Sequence, residues 1–314
     1  MTNLLPPPLA ASAFIIAKDL TLGLLAIGRG DLDLLDAVVA VSIVQSNVAR
    51  VHADAEKDRR YEGGETLPPE ESRQPVSVKA VANMLGLPFE TVRRRIERLC
   101  ARGVCARRRA GVVVPTTWLD SPAHRAAIAA TEELVRTTFR RLRAVGFFDF
   151  ASLPRAEPAN APLPRLVSRA ASDYFLRSAG AMIDELRDVT DAFLLMETLR
   201  RNTSHLPDAR TAAWMLPSAF VPDGYKRPAT MAEVARALRL GHECVRRHAR
   251  KLQAEGLLAR TARGLIVPAR ALEAGPLRAM LARSITDMTR LFRTLARAGL
   301  TVVWEVEQAA AGVA

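Results

Sequence analysis

Residues 75–115 read PVSVKAVANMLGLPFETVRRRIERLCARGVCARRRAGVVVP, and residues 228–268 read PATMAEVARALRLGHECVRRHARKLQAEGLLARTARGLIVP. Laid on each other at an offset of 153, the two stretches need no gap and agree at 17 of 41 positions. The matches include Val81/Val234, Ala82/Ala235, Leu85/Leu238, Glu90/Glu243, Val92/Val245, Arg93/Arg246, Arg94/Arg247, Leu99/Leu252, Gly103/Gly256 and Gly111/Gly264. An internal repeat of this length with only two copies means duplicated domains, not a solenoid of small units.

The same offset continues downstream, pairing Phe139 with Phe292, Arg140 with Arg293, Leu142 with Leu295 and Gly146 with Gly299. Upstream the register slips by two, and Asp33, Asp36 and Ala37 answer Asp188, Asp191 and Ala192 at the start of apolar helical stretches. Each copy therefore spans roughly 150 residues, the size of an ordinary domain able to bury its own core. Between the copies, 151–164 carries Pro154, Pro158, Pro162 and Pro164, which disfavour helix and central strand and mark a linker. The expected organisation is 1–150, a linker over 151–164, and 165–314.

Within one copy, Ser77 and Thr230 stand where an N-cap belongs, ahead of short helical runs ending at Leu85 and Leu238. A turn follows, and a second helix runs from near Phe89 to Gly103, or from His242 to Gly256. Val92, Ile96 and Leu99, matched by Val245, Ala249 and Leu252, recur at helical spacing and form its buried stripe. The other faces carry Phe89, Glu90, Thr91, Arg93, Arg94, Arg95 and Arg98, matched by His242, Glu243, Cys244, Arg246, Arg247, His248 and Lys251. Short or polar side chains near a helix N-terminus, flanked by cations, suit base edges and phosphates in a major groove. Val104 to Arg107 and Gly111 to Pro115 then read as strands joined by Arg108-Arg109-Ala110, with Leu257 to Arg260 and Gly264 to Pro268 in the second copy. The hairpin cations Arg107, Arg108 and Arg109, and Arg260 and Arg263, suit backbone phosphate.

This series resembles the winged helix-turn-helix domains of bacterial regulators, of which MarR-like and GntR-like readers are the most similar. The wings depart from the MarR-like pattern in lacking an acidic residue before the wing arginine. The resemblance implies a mainly α fold with small β-hairpin wings, flanking helices that form a dimer interface, and a chain that looks like a dimer fused into one molecule. It further implies a sequence-specific transcriptional regulator of double-stranded DNA, acting as a monomeric pseudo-dimer or as a homodimer, cytoplasmic and nucleoid-associated. Two readers on one side of a duplex would have half-site centres about 34–36 Å apart. Glu90 and Glu243 would accept from a cytosine amino group, and the arginines would contact guanine or phosphate. The alternative is a chromosome-organising or replication-initiation factor whose tandem winged helices dock on proteins or an origin.

Charge placement favours nucleic acid. The chain holds 45 Lys and Arg against 33 Asp and Glu, a formal charge of +12, and the arginine bias alone is also what a GC-rich genome produces. Segment 73–111 carries a net +8 and segment 226–264 a net +7, which leaves −3 for the other 236 residues. The excess is confined to the two segments, as a polyanion partner requires.

The remaining signals are weaker. Cys100, Cys105 and Cys244 lack CxxC spacing, so neither a disulfide framework nor a zinc ribbon is expected. Cys244 and His248 form half a metal site at most, and Cys100 reads as an inert thiol before a redox switch. No cofactor, membrane span or catalytic constellation is expected, and Leu9 to Ile27, interrupted by Lys18 and Asp19, reads as a core helix. Trp118, Trp214, Phe139 and Phe292 read as core. The polar stretches 53–74 and 202–227 read as connectors, with contact to RNA polymerase a lesser alternative.

Overall fold

The computed structural model describes residues 7–63, 66–147, 153–206, 220–273 and 275–311. The first half comprises α1 (Pro7–Arg29), α2 (Leu34–Ala53), α3 (Ala55–Tyr61), α4 (Val78–Leu85), α5 (Phe89–Ala101), β1 (Ala106–Arg108), β2 (Gly111–Val113), α6 (Thr116–Leu119) and α7 (Pro122–Ala144). The second follows the same order, with no counterpart of α3 among the described residues, as α8 (Pro164–Leu186), α9 (Val189–Thr203), α10 (Met231–Leu238), α11 (His242–Ala254), β3 (Ala259–Thr261), β4 (Gly264–Ile266), α12 (Ala269–Glu273) and α13 (Gly275–Arg297), and adds α14 (Leu300–Ala311). The fold is mainly α with two small antiparallel hairpins.

Helix starts follow from local chemistry. Asp33 caps α2 by accepting from the Asp36 amide at 2.9 Å, and Asp188 caps α9 by accepting from the amides of Thr190 and Asp191. Each carboxylate satisfies amide groups that the first helical turn leaves unpaired. Asp54 does the same for α3. The stretch 53–74, expected as a connector, therefore contains a helix with a buried Tyr61 and a 3₁₀ turn at Glu70–Ser72. In 202–227, α9 ends at Thr203 and a 3₁₀ turn occupies Asp223–Tyr225; Trp214 lies outside the described residues. From Leu153 to Leu163 the proline-rich linker is neither helix nor strand. It lies against the turn between α13 and α14, where a side chain on Gly299 (φ +75°) would stand 2.0 Å from the Glu157 carbonyl.

The four long helices α1, α7, α8 and α13 pack together at the centre. Phe139 of α7 meets its repeat counterpart Phe292 of α13, ring centroids 5.7 Å apart, and Trp304 of α14 packs edge-on against Phe139. Counting along α1 and α8, each 23 residues long, Ala17 and Tyr174 hold the same place, and the Tyr174 hydroxyl donates to the Ala17 carbonyl at 3.0 Å. Contact between equivalent positions marks a pseudo-twofold axis between the halves. The halves do not own separate cores, as their length had suggested: one contiguous apolar core runs through both. The reason is geometric, because each half's apolar long helices bury their stripe against those of the other, and an apolar stripe must be buried. Among the described residues, α2 alone is long and apolar enough to cross a membrane. Its buried side also carries Asp36, Ser42 and Asn47.

Candidate nucleic-acid interface

In both duplicated segments a cap, a tight turn and an apolar stripe set the geometry. The Ser77 hydroxyl accepts from the Ala80 amide; Thr230 and Glu233 form a reciprocal capping box. The first helices end on left-handed residues, Gly86 (φ +59°) and Arg239 (φ +52°), which turn the chain into α5 and α11. Val92, Ile96 and Leu99 are fully buried, as are Val245, Ala249 and Leu252, so the stripe read from spacing is the buried face.

The hairpins pair Ala106 with Val113 and Ala259 with Ile266, each strand one or two residues shorter than its sequence pattern suggests. A third segment joins each, through bridges Val76–Val112 and Ala229–Leu265. That close approach explains the matched glycines: a Cβ on Gly111 (φ +144°) would lie 2.6 Å from the Val76 carbonyl, and one on Gly264 (φ +148°) 2.5 Å from that of Ala229.

A buried asparagine fastens each hairpin to its support helix. Asn47 Nδ2 of α2 donates to the carbonyls of Gln74 (2.8 Å) and Val112 (3.1 Å), and its Oδ1 accepts from the Val114 amide (2.9 Å). Asn202 of α9 makes the same three bonds to Arg227 (2.7 Å), Leu265 (3.0 Å) and Val267 (2.9 Å). Buried Arg73 and Lys226 occupy matching positions, donating to the carbonyls of Val114 and Val267 and facing Glu70 and Asp223. Sequence reading missed these groups. The asparagines share the offset of 155 that relates Asp33 to Asp188, which was the available signal.

The candidate site residues divide into outward and inward sets. Phe89, Glu90, Arg94, His242, Glu243 and Arg247 are exposed on the outer N-terminal faces of α5 and α11, with Arg93 and Arg246 beside them half-buried. Glu90 is not a free acceptor. Arg93 (2.6 Å) and Arg94 (3.0 Å) both bind it, and these hydrogen bonds hold its carboxyl down at about 2. Glu243 binds Arg246 at 2.6 Å, which lowers its carboxyl too. Arg93 also reaches Glu97, whereas the matching position in α11 is Arg250.

Arg95 is half-buried, contrary to the reading that put it on a solvent face, whereas Arg98 stays exposed, and both are tied to α2. They bind Asp33 and Asp36 at the start of α2; Arg98 lies 2.9 Å from Asp33 and 2.5 Å from Asp36. Burial works against the charge on Asp33, but Arg95, the Asp36 amide and Arg98 outweigh it and keep its carboxyl low. In the second copy His248 is buried, its Nδ1 donating to Asp191 at 2.7 Å, and Lys251 Nζ lies 2.5 Å from the same carboxylate. Each acidic pair therefore clamps the second segment helix to its support helix. The physical reason is that residues three and four apart share one helix face, and this face lies over the carboxylates. Thr91 and Cys244 are half-buried, and burial pushes the Cys244 thiol up against the opposing effect of Arg247.

Asp188, Asp191 and His248 form the one group of three potential metal ligands among the described residues. The Lys251 ammonium already neutralises Asp191. Arg29 at the end of α1 donates to the Ala237 carbonyl of the second segment, while Asp31 and Asp33, two and four residues further on, bind Arg102 and Arg95 of the first, so the two segments meet at the turn between α1 and α2.

Of the hairpin cations, Arg108 pairs with Glu70 at 2.6 Å and Arg107 approaches Glu97 at 3.8 Å; Arg109, Arg260 and Arg263 are exposed with no ion pair. The segment charges read from sequence are thus too high for the surface. Asp31, Asp33, Asp36 and Glu70, all outside segment 73–111, bind its arginines and lower its net charge from +8 to +4, and Asp191 and Asp223 bind Lys251 and Lys226 and lower that of segment 226–264 from +7 to +5. Elsewhere, half-buried Trp118 lines a cavity of about 290 Å³ with His124 and Phe175, and packs against His124 at 4.7 Å. Burial pushes the Cys100 thiol up, and Cys105 up to about 12.

No protein-family model, curated protein or solved structure matches this chain.

Proposed function

We propose that the chain is a double-stranded DNA-binding transcriptional regulator and that its two duplicated segments are winged helix-turn-helix readers resembling those of MarR-like and GntR-like proteins. The observation that carries this reading is the exposed outer edge of each segment. In both copies an arginine pair, Arg93-Arg94 or Arg246-Arg247, lies in the second turn of the second helix with its second member exposed, and exposed hairpin arginines lie beyond it. Such an edge offers polar groups to base edges and cations to phosphates together. The tips differ, Phe89 against His242, so the two readers address different bases. Their closeness suits one contiguous stretch of about one helical turn better than two separated half-sites.

The test is selection of bound duplexes from a randomised library, repeated with Arg94→Ala combined with Arg247→Ala. A shared motif of about 10–12 base pairs, lost in the double variant, is the expected result. Enrichment of no common sequence would remove the regulator reading.

A further inference from the structure

The two segments look equally basic in sequence, at +8 and +7, yet their surfaces are unlike. In the first, among the described residues, Lys79 and Arg109 are the exposed cations without an ion pair. In the second there are seven, among them Arg247, Arg250, Arg260 and Arg263. The outer faces of the second helices show the same contrast. On α5, Glu90, Arg93, Arg94 and Glu97 form a network of net charge zero, which Arg107 of the hairpin approaches at Glu97. On α11 the aligned residues are Glu243, Arg246, Arg247 and Arg250, net +2. The first segment instead exposes large apolar side chains, Met84 at 49% and Phe89 at 51%, where the second has Ala237 and His242.

We infer that the second segment makes most of the phosphate contacts, while the first presents a neutral, apolar-tipped face suited to base edges such as the thymine methyl group. This rests on the reading of both segments as DNA readers. Binding to phosphates releases counterions in proportion to the cations that neutralise them, and a guanidinium whose charge is matched by a neighbouring carboxylate adds little to that release. Phe89 is free to make the apolar contact by which a thymine methyl is recognised. The division of labour assigns affinity to one copy and a share of base discrimination to the other.

The aligned positions supply the experiment, because Arg250 answers Glu97 and Arg263 answers Ala110. Binding of a fluorescein-labelled 30-base-pair duplex of mixed sequence is followed by anisotropy from about 50 to 300 mM salt. The variant Arg250→Glu with Arg263→Ala gives the second segment the first segment's residues at exposed positions, and its thermal melt checks that it remains folded. Loss of two contacts should flatten the plot of log K against log salt by about 1.8, so that the loss of affinity is roughly 25-fold larger at 50 mM than at 300 mM. The converse variant, Glu97→Arg with Ala110→Arg, should steepen it. A change below about 0.9, one contact, in the first variant overturns the division of labour. Absence of salt-dependent binding by the unmodified chain would overturn the DNA reading itself, so the two failures are told apart.

Discussion

Replacing Asn47 with Ala should destabilise the whole chain, and the structure sets the size of the loss. The variant removes three hydrogen bonds in one step. The Val112 carbonyl keeps a partner, the Val76 amide at 3.0 Å. The Val114 amide does not, and leaving a buried donor unpaired costs about 1–3 kcal/mol. The Gln74 carbonyl lies nearer solvent, so its lost bond counts for about 1 kcal/mol. The sum is about 3 kcal/mol, a substantial part of the 5–15 kcal/mol typical of a folded chain. Asn202→Ala should cost the same to within about 1 kcal/mol, because its three bonds differ from those of Asn47 by only 0.1 Å at most. Equilibrium urea unfolding followed by circular dichroism gives both values. A shared core predicts a single transition in each case. Losses below about 1 kcal/mol for both variants would refute the claim that these asparagines fasten the hairpins.

Acid should weaken the fold through His124. Burial, then Arg165, lowers its imidazole to about 4. A folded value below the unfolded one, near 6.5, means stability is fully present above pH 6.5 and is lost as pH falls towards 4. The share of His124 between pH 7 and pH 5 should be about 2 kcal/mol, read as the difference in pH dependence of urea midpoints between the unmodified chain and His124→Asn, with His52, also lowered to about 4, contributing alike to both. Gly111→Ala and Gly264→Ala should each cost about 2–4 kcal/mol, since both the backbone angle and the facing carbonyl exclude a side chain. Amide exchange of the hairpin strands would reveal it, and unchanged protection would show that the Val76 and Ala229 strands yield instead.

The duplication, the capped helices and the buried stripes were legible because they are local or periodic. Ser77 and Thr230 cap where the pattern placed them, and Val92, Ile96 and Leu99 face inward at the spacing that announced them. The electrostatics of the site were not legible. Arg95 and Arg98 find their carboxylates some sixty residues away, on another helix. A charge count over a segment cannot know which acids fold onto it. The asparagine clamps escaped notice because a polar residue in an apolar helix gives no sign of its partners until the hairpin is in place.

Ala17 facing Tyr174 across the pseudo-twofold carries a consequence for how such a chain can change. In a symmetric dimer a residue on the axis meets its own copy, so every substitution there is made twice and must suit itself. Tyrosine against tyrosine would crowd this point, and alanine against alanine would leave a gap in it. With both copies on one polypeptide, a small residue can answer a large one, as it does here with a hydrogen bond included. Two surfaces that a symmetric dimer would keep identical are then able to differ while still fitting each other. The same liberty extends to the edges that face outward, where one copy can shed charge and the other keep it without any second gene having to follow.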